Sequence, residues 1–316
     1  MARRRTATRP PLPLRDGLGP DRLQLPAGHP VATVGAYLTG VAPEDDWDGR
    51  FAAGEVVDRS GAPVAADTPY RPGLVVHFYR EPPAETAVPF EVDVLHHGDG
   101  LLVVDKPHFL ATIPRGRHIR ESVVVRMRRA LDLPDLVPVH RLDRMTAGVL
   151  VCTTDPALRR PYQQLFEQRG VVKEYEAVAP YVPDRTFPCT VRSRIDKRHG
   201  EPTAREVPGE PNAHTEIDVI EAEGDHARYR LRPVTGRTHQ LRLHMASLGL
   251  PILGDDFYPT LRHRAPDDFT DPLRLLARSV RYTDPITGDL RVFTSRRTLS
   301  GEPPRPDDLD FTRPAG

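Results

Sequence analysis

The pattern of apolar and polar positions divides the chain into an irregular lead, a small mixed segment, a long stretch of strands and helices, and a polar end. Residues 1–30 hold Arg3-Arg4-Arg5, several prolines and almost no apolar period, so they read as a disordered or loosely draped basic arm. In residues 31–85, Val34, Tyr37 and Leu38 have helical spacing and a turn-prone acidic loop follows. Residues 54–58 and 73–78 then read as short strands about a Ser60-Gly61 turn, and 81–85 reads as a linker.

From residue 86 the apolar runs lengthen. Residues 101–104 form a buried strand ending at Lys106-Pro107, 123–131 have helical spacing, and 147–152 form a second apolar strand. Asp155-Pro156 is expected to open a helix as N-cap and first-turn proline. Leu158, Tyr162, Leu165 and Phe166 supply its apolar stripe, and Gly170 is placed to end it. Strands are expected at 174–179, 216–221 and 229–233, and Thr238 is expected to cap a helix whose Leu241, Met245 and Leu248 face inward and which stops at Gly249. Strands outnumber helices. The predicted class is α+β, a large mixed and largely antiparallel sheet with flanking helices over 86–300, with 301–316 as an extended tail.

Composition narrows the picture without naming a function. The 38% of hydrophobic residues can build a sizeable core, and no apolar run approaches the roughly 20 residues that span a bilayer. No stretch near the N-terminus is apolar enough for a signal peptide. Cys152 and Cys189 have no metal-type spacing, so a disulfide framework and a cysteine zinc site are not expected and a reducing, cytoplasmic setting is; a monomer without metal or cofactor is expected as well. Acidic and basic residues number 44 each, so only their distribution informs. Acids crowd Glu44, Asp45, Asp46 and Asp48, while bases crowd Arg115, Arg117, Arg120, Arg126, Arg128 and Arg129, then Arg141 and Arg144. Such a basic face either solvates a helix or holds phosphates.

Asp143 is the first candidate for chemistry. It lies in a loop between a strand ending near Val139 and the strand at 147–152, beside Arg141 and the tight Thr146-Ala147-Gly148 turn. Alone, such an aspartate is usually a turn former. The Gly-containing polar segments 235–244 and 253–258 carry similar groups, including Arg237, His239, Gln240 and Arg242. His239 and His244 are five apart, off a one-face metal spacing, and read as structural or substrate-contacting. No nucleotide-binding fingerprint occurs.

The run His140-Arg141-Leu142-Asp143-Arg144-Met145-Thr146-Ala147-Gly148-Val149-Leu150-Val151 resembles the catalytic motif of the RluA-type RNA pseudouridine synthases. Val103-Val104-Asp105-Lys106-Pro107, Lys173-Glu174-Tyr175-Glu176-Ala177, the segment 235–244, and Gly249-Leu250-Pro251-Ile252-Leu253-Gly254-Asp255 with Tyr258 resemble further family segments in the family's order, over about 88–299. The resemblance implies a pseudouridine synthase-like fold and an enzyme that isomerises specific uridines in structured ribosomal or transfer RNA. It implies that Asp143 is the nucleophile, that Tyr175 lies against the base and assists loss of the C5 proton, that Arg242 pairs with Asp143, and that Arg141 fills the gap left by a flipped uridine. His140, Arg237, His239 and Gln240 are expected to bind substrate, and Lys106, Arg115 and Arg117 to contact RNA phosphates. Residues 31–85 resemble, more faintly, an S4-type RNA-binding module whose basic helix is replaced by acids. Ala147 stands where the family often has serine, and Leu275-Leu276-Ala277-Arg278 replaces its frequent Leu-His-Ala pattern.

Two other functions compete. One is a non-catalytic RNA-binding or ribosome-assembly protein on the same fold. The other is a metal-dependent phosphoesterase using Asp255, Asp256 and the histidines.

Overall fold

A computed structural model describes residues 10–299; the arm at 1–9 and the tail at 301–316 lie outside the described residues. The described residues divide into two compact units, 10–85 with 129–134 and 86–128 with 135–299. The first contains β1 (Asp21–Gln24), α1 (Val34–Val41), α2 (Trp47–Ala52) and β2 (Val75–Phe78). β1 and β2 pair antiparallel, and Leu25, Val34, Leu38, Trp47, Val76 and Phe78 share a core. Part of the stretch read as a draped arm is thus a strand, because Leu25 and its partners across β2 bury apolar surface that the proline-rich composition obscured. The acidic segment is not a loop throughout. The Asp46 side chain accepts from Gly49 N at 2.9 Å and caps α2, whose Trp47 is buried against Phe78. Residues 54–58 make only bridges at Val57, to Pro63 and His77.

The second unit follows with β3 (Asp93–Gly98), β4 (Leu101–Lys106), all but the last three residues of α3 (Val123–Leu131), β5 (Val137–Pro138), β6 (Ala147–Thr153), α4 (Arg159–Glu167) and β7 (Val171–Pro180). It continues through β8 (Cys189–Asp196), β9 (Arg205–Val207), β10 (Ala213–Glu223), β11 (His226–Pro233), α5 (Gln240–Ser247), β12 (Leu275–Thr283) and β13 (Leu290–Thr294). These strands form one sheet in the order β3-β4-β6-β12-β7-β11-β10-β8-β9, with β5 beside β6 and β13 beside β12. Its ladders are antiparallel except β6 with β12. The α+β reading of a mixed, mainly antiparallel sheet with few helices is what forms.

β4 and β6 are buried along their whole length, which is why their sequences are continuous apolar runs rather than alternations. Where β6 meets β12, a Cβ on Gly148 would lie 2.2 Å from the Ala277 oxygen, and its φ is +111°. Glycine is therefore required at the point where the strand leaves the Asp143 loop.

Helix ends differ from expectation. α4 begins at Arg159, and Asp155 instead closes the preceding turn by accepting from Ala157 N at 2.8 Å. Arg169, not Gly170, takes the left-handed conformation after that helix, at φ 62°. α5 starts from His239 in the left-handed region at φ 57°, without a side-chain cap, so Thr238 does not cap it. Residues Gln240 to Met245 of α5 are all buried, which no amphipathic stripe announces.

Candidate active site

The loop bearing Asp143 is held from both sides. The Thr112 hydroxyl donates to Leu142 O at 2.7 Å, and Leu142 N donates to the same hydroxyl at 3.1 Å. Thr146 N donates to Asp143 O at 3.1 Å and closes the turn. Lys106 approaches from β4, donating from Nζ to the carbonyls of Pro107, Leu110 and Arg144 at 2.9, 2.7 and 3.1 Å. Lys106 is fully buried, so it is not a phosphate contact as expected: its three donors are committed to backbone that shapes the Asp143 loop. Burial pushes its pKa well below the ordinary lysine value, opposed by the charge of Asp143.

Arg242 projects from α5 toward the same loop, with Nη1 3.9 Å from Asp143 Oδ2. Its stronger bonds go elsewhere. Nε and Nη2 donate to the two oxygens of Asp255 at 2.8 and 2.5 Å, and Nη2 also donates to Asp256 at 3.0 Å. The rings of Phe257 and Tyr258 lie 4.7 and 5.5 Å from the guanidinium carbon. Burial alone would lower the Arg242 pKa, but Asp255, with help from Asp143 and Asp256, raises it. Arg242 is thus a fixed cation with one edge turned to Asp143. Asp255 also accepts from Phe257 N and Tyr258 N, so this carboxylate is an arginine anchor and not an open metal ligand. Among the described residues no group of three or more His, Cys, Asp or Glu side chains is arranged to hold a metal ion.

Tyr175 comes from β7 and lines the same groove, of about 720 Å³, as Asp143 and Arg242. Burial first, and the Asp143 charge second, raise its phenol pKa, so the hydroxyl stays protonated at neutral pH. The three residues named as catalytic from distant segments therefore meet around one cavity. Arg141 is exposed on its rim and makes no ion pair or hydrogen bond among the described residues.

The expected substrate-binding residues divide into two kinds. Arg237 is exposed at the groove, its Nε donating to Asn212 O at 3.2 Å. His239 lines the groove and its Nδ1 is 3.0 Å from the Tyr258 hydroxyl; burial lowers its pKa. His140 faces the groove but serves the scaffold: its Nε2 accepts from Val151 N at 3.1 Å, and its ring stacks on Phe166 at 4.6 Å. Burial lowers its pKa to about 3 and keeps it neutral. Gln240 is corrected from binder to brace. Its oxygen accepts from Thr235 and Arg237 at 2.7 and 3.0 Å, and its amide nitrogen donates to His214 O and to the Thr215 hydroxyl, both at 2.9 Å. All its hydrogen-bonding capacity is used internally.

His244 is likewise structural, buried between Thr215 and Ser193 at 2.8 and 3.1 Å, with its pKa lowered to about 4 by burial. Arg115 and Arg117 are exposed. Their helix neighbour Arg126 instead binds the Phe90 and Val88 carbonyls and Glu121, so the basic run is not one phosphate face. Sequence reasoning missed the role of Asp255 as anchor of Arg242, and it missed Lys173, which lines the groove two residues from Tyr175 on the same face of β7.

Comparisons with known proteins agree with this arrangement. A family model described as RNA pseudouridylate synthase matches residues 100–247, which include Asp143, Tyr175 and Arg242. The dual-specificity RNA pseudouridine synthase RluA of Escherichia coli (strain K12) is 37% identical over 211 residues, 63% of this chain and 90% of that relative. The protein of the same name from Haemophilus influenzae is 30% identical over 220 residues, 65% of this chain and 93% of the relative. Among solved structures, human RNA pseudouridylate synthase domain containing 4 superposes with a TM-score of 0.52 at 27% identity, covering 65% of this chain and 88% of that one. Human RNA pseudouridylate synthase domain containing 1 shares the fold, with a TM-score of 0.54 at 23% identity over 68% of this chain and 86% of that one. With a carboxylate, a tyrosine and an anchored arginine around one groove, and relatives that align over nearly their whole length, the chain belongs to the RluA-type family and is an RNA pseudouridine synthase.

Proposed function

We propose that Asp143 is the nucleophile of this isomerisation, acting on a uridine flipped out of structured ribosomal or transfer RNA. The observation that carries the reading is Arg242, anchored by Asp255 and presenting Nη1 to Asp143 at 3.9 Å above the groove that Tyr175 shares. A fixed cation beside a carboxylate favours its ionised form, and an ionised carboxylate can serve as a covalent catalyst. The reaction breaks the bond from C1′ to N1 and forms one from C1′ to C5. The C5 proton leaves and N1 gains one, so substrate and product have the same composition, and no external group donor or oxidant enters the balance.

Tyr175 is assigned to the face of the base, where its neutral phenol can stack and relay the departing C5 proton, its oxygen taking that proton as its own hydroxyl proton passes on. Arg141, exposed and unengaged on the groove rim, is assigned to the space that the flipped base leaves in the stack. The name dual-specificity borne by the bacterial relatives supports a substrate drawn from more than one RNA. The module at 31–85 is assigned packing or weak RNA contacts, since acids occupy its helix α2 and the turn before it. We assign the protein to the cytoplasm as a monomer. Cys152 and Cys189 are free thiols, and among the described residues no helix is long and apolar enough to cross a membrane.

The test is Asp143→Ala with RNA mapping and binding measured together. Loss of pseudouridine with RNA affinity kept is expected. Modification at the parent rate would remove Asp143 from the chemistry.

A further inference from the structure

Lys173 occupies the groove wall on β7, two residues from Tyr175 and on the same face, so their Cα atoms are about 6.6 Å apart. Its ammonium crosses toward the opposite wall, where a Cβ built on Gly236 would lie 3.7 Å from Nζ. Among the described residues its ammonium has no hydrogen bond and no carboxylate within ion-pair distance; Asp143 and Glu167, acids that line the groove, do not pair with it. Burial lowers its pKa, and the nearby charge of Arg169 lowers it further. Two groove-lining cations are therefore left without an ion pair among the described residues.

That is unlike Lys106, whose ammonium is fully taken up by backbone carbonyls, and unlike four sheltered arginines that meet carboxylates. Arg278 is matched by Glu176, Arg242 by Asp255, Arg291 by Asp284 and Arg297 by Asp93. A sheltered charge left unmatched is destabilising until an anion arrives, and such groups gather at functional sites. The anion that accompanies every uridine in RNA is its phosphate. The spacing of Lys173 from Tyr175 is of the order of the reach from a uracil ring to the backbone that carries it. We propose that Lys173, with neighbouring Arg169, binds a backbone phosphate flanking the target uridine and so positions that nucleotide over Asp143.

The inference rests on the Asp143 reading of the groove, and its test separates the two. Lys173→Met and Lys173→Arg would be compared with the parent in two measurements. One is binding of a uridine oligonucleotide of about ten residues, short enough for one single-strand site, as a function of salt. The other is tritium release from total RNA labelled at uridine C5, prepared from cells lacking this gene. Loss of one phosphate contact should reduce the log–log salt slope by about 0.7 in Lys173→Met. It should raise the half-saturating RNA concentration about tenfold, as removal of a charge-assisted bond does, with a smaller effect on turnover at saturation. Lys173→Arg should restore both. Parent values for slope and half-saturation in Lys173→Met, or an equal loss in Lys173→Arg, would overturn the proposal. Parent protein that binds the oligonucleotide but releases no tritium would sink the Asp143 reading alone, because the salt slope still judges Lys173.

Discussion

Strand β7 turns charged and polar residues to both of its faces, and the two faces treat them oppositely. On one face Glu174 is bound by Arg232 at 2.9 Å and neighboured by Arg230 at 3.5 Å. Glu176 is gripped by both ends of Arg278 at 2.8 and 2.9 Å, with Arg228 at 3.8 Å. Glu174 has found arginines from β11, and Glu176 one each from β11 and β12, so the face is closed electrostatically. On the other face Lys173 and Tyr175 look into the groove, where Arg141 and Lys173 have no counter-charge among the described residues. One strand with strict alternation thus carries a finished salt-bridge lattice on one side and an unfinished charge distribution on the other. Matched charge belongs to the scaffold, whereas unmatched charge is kept for a substrate that brings the missing anion.

The largest expected effect attacks the groove face. Asp143→Asn should lower tritium release by on the order of 1000-fold or more, with little change in melting temperature, because the carboxylate lies in a loop and its ion pair with Arg242 is long, at 3.9 Å, while Asp255 keeps that arginine anchored. A calorimetric shift of several degrees would show that Asp143 belongs to the scaffold after all.

Next comes the anchor between the two regimes. Asp255→Ala leaves the buried Arg242 without its bidentate partner and should destabilise the fold by about 3–5 kcal/mol in urea titrations. It should also lower turnover, since Nη1 is no longer aimed at Asp143. Full activity in this variant would separate Arg242 from catalysis.

A smaller effect is expected on the closed face. Glu176→Gln removes charge from the lattice but keeps a side chain that can accept from Arg278, so a loss of about 1–3 kcal/mol is expected with unaltered turnover. A kinetic defect with no stability change would contradict the division between the faces.

The weakest expected signal is a pH dependence of the groove wall. His140 is held neutral with its pKa near 3, against an unfolded value of 6.5. As pH falls from about 6.5 toward 3, the unfolded chain takes up a proton that the folded protein refuses, so stability declines over that window and levels off below it. His140→Gln keeps an acceptor for Val151 N and should flatten that part of the stability profile. An identical decline in the variant would assign it to other groups.

Much of the second unit was legible because its elements follow from local patterns. β4, α3 and β6 lie where the apolar runs place them, since continuous burial leaves a continuous hydrophobic signature. β8, β9 and β13 were missed, as their half-exposed alternations include too many arginines, aspartates and threonines to stand out. The start of α5 was misread at Thr238 because a left-handed histidine is a costly N-terminus that local propensity does not select. Asp143, Tyr175 and Arg242 were legible only through the resemblance, whereas Lys106 and Gln240 were named for roles their burial forbids.

The sequence by itself determined the strand-rich class, the family and the identity of Asp143, Tyr175 and Arg242, because period-two alternation and motif order are local properties of the chain. The tertiary structure decided which charges are available. Whether an arginine or lysine meets a carboxylate, a carbonyl or open groove depends on residues tens of positions away. Arg278 meets Glu176 across β12 and β7, and Lys106 meets Arg144 across the sheet. Only those long-range pairings separate the cations that hold the protein together from those left to hold RNA.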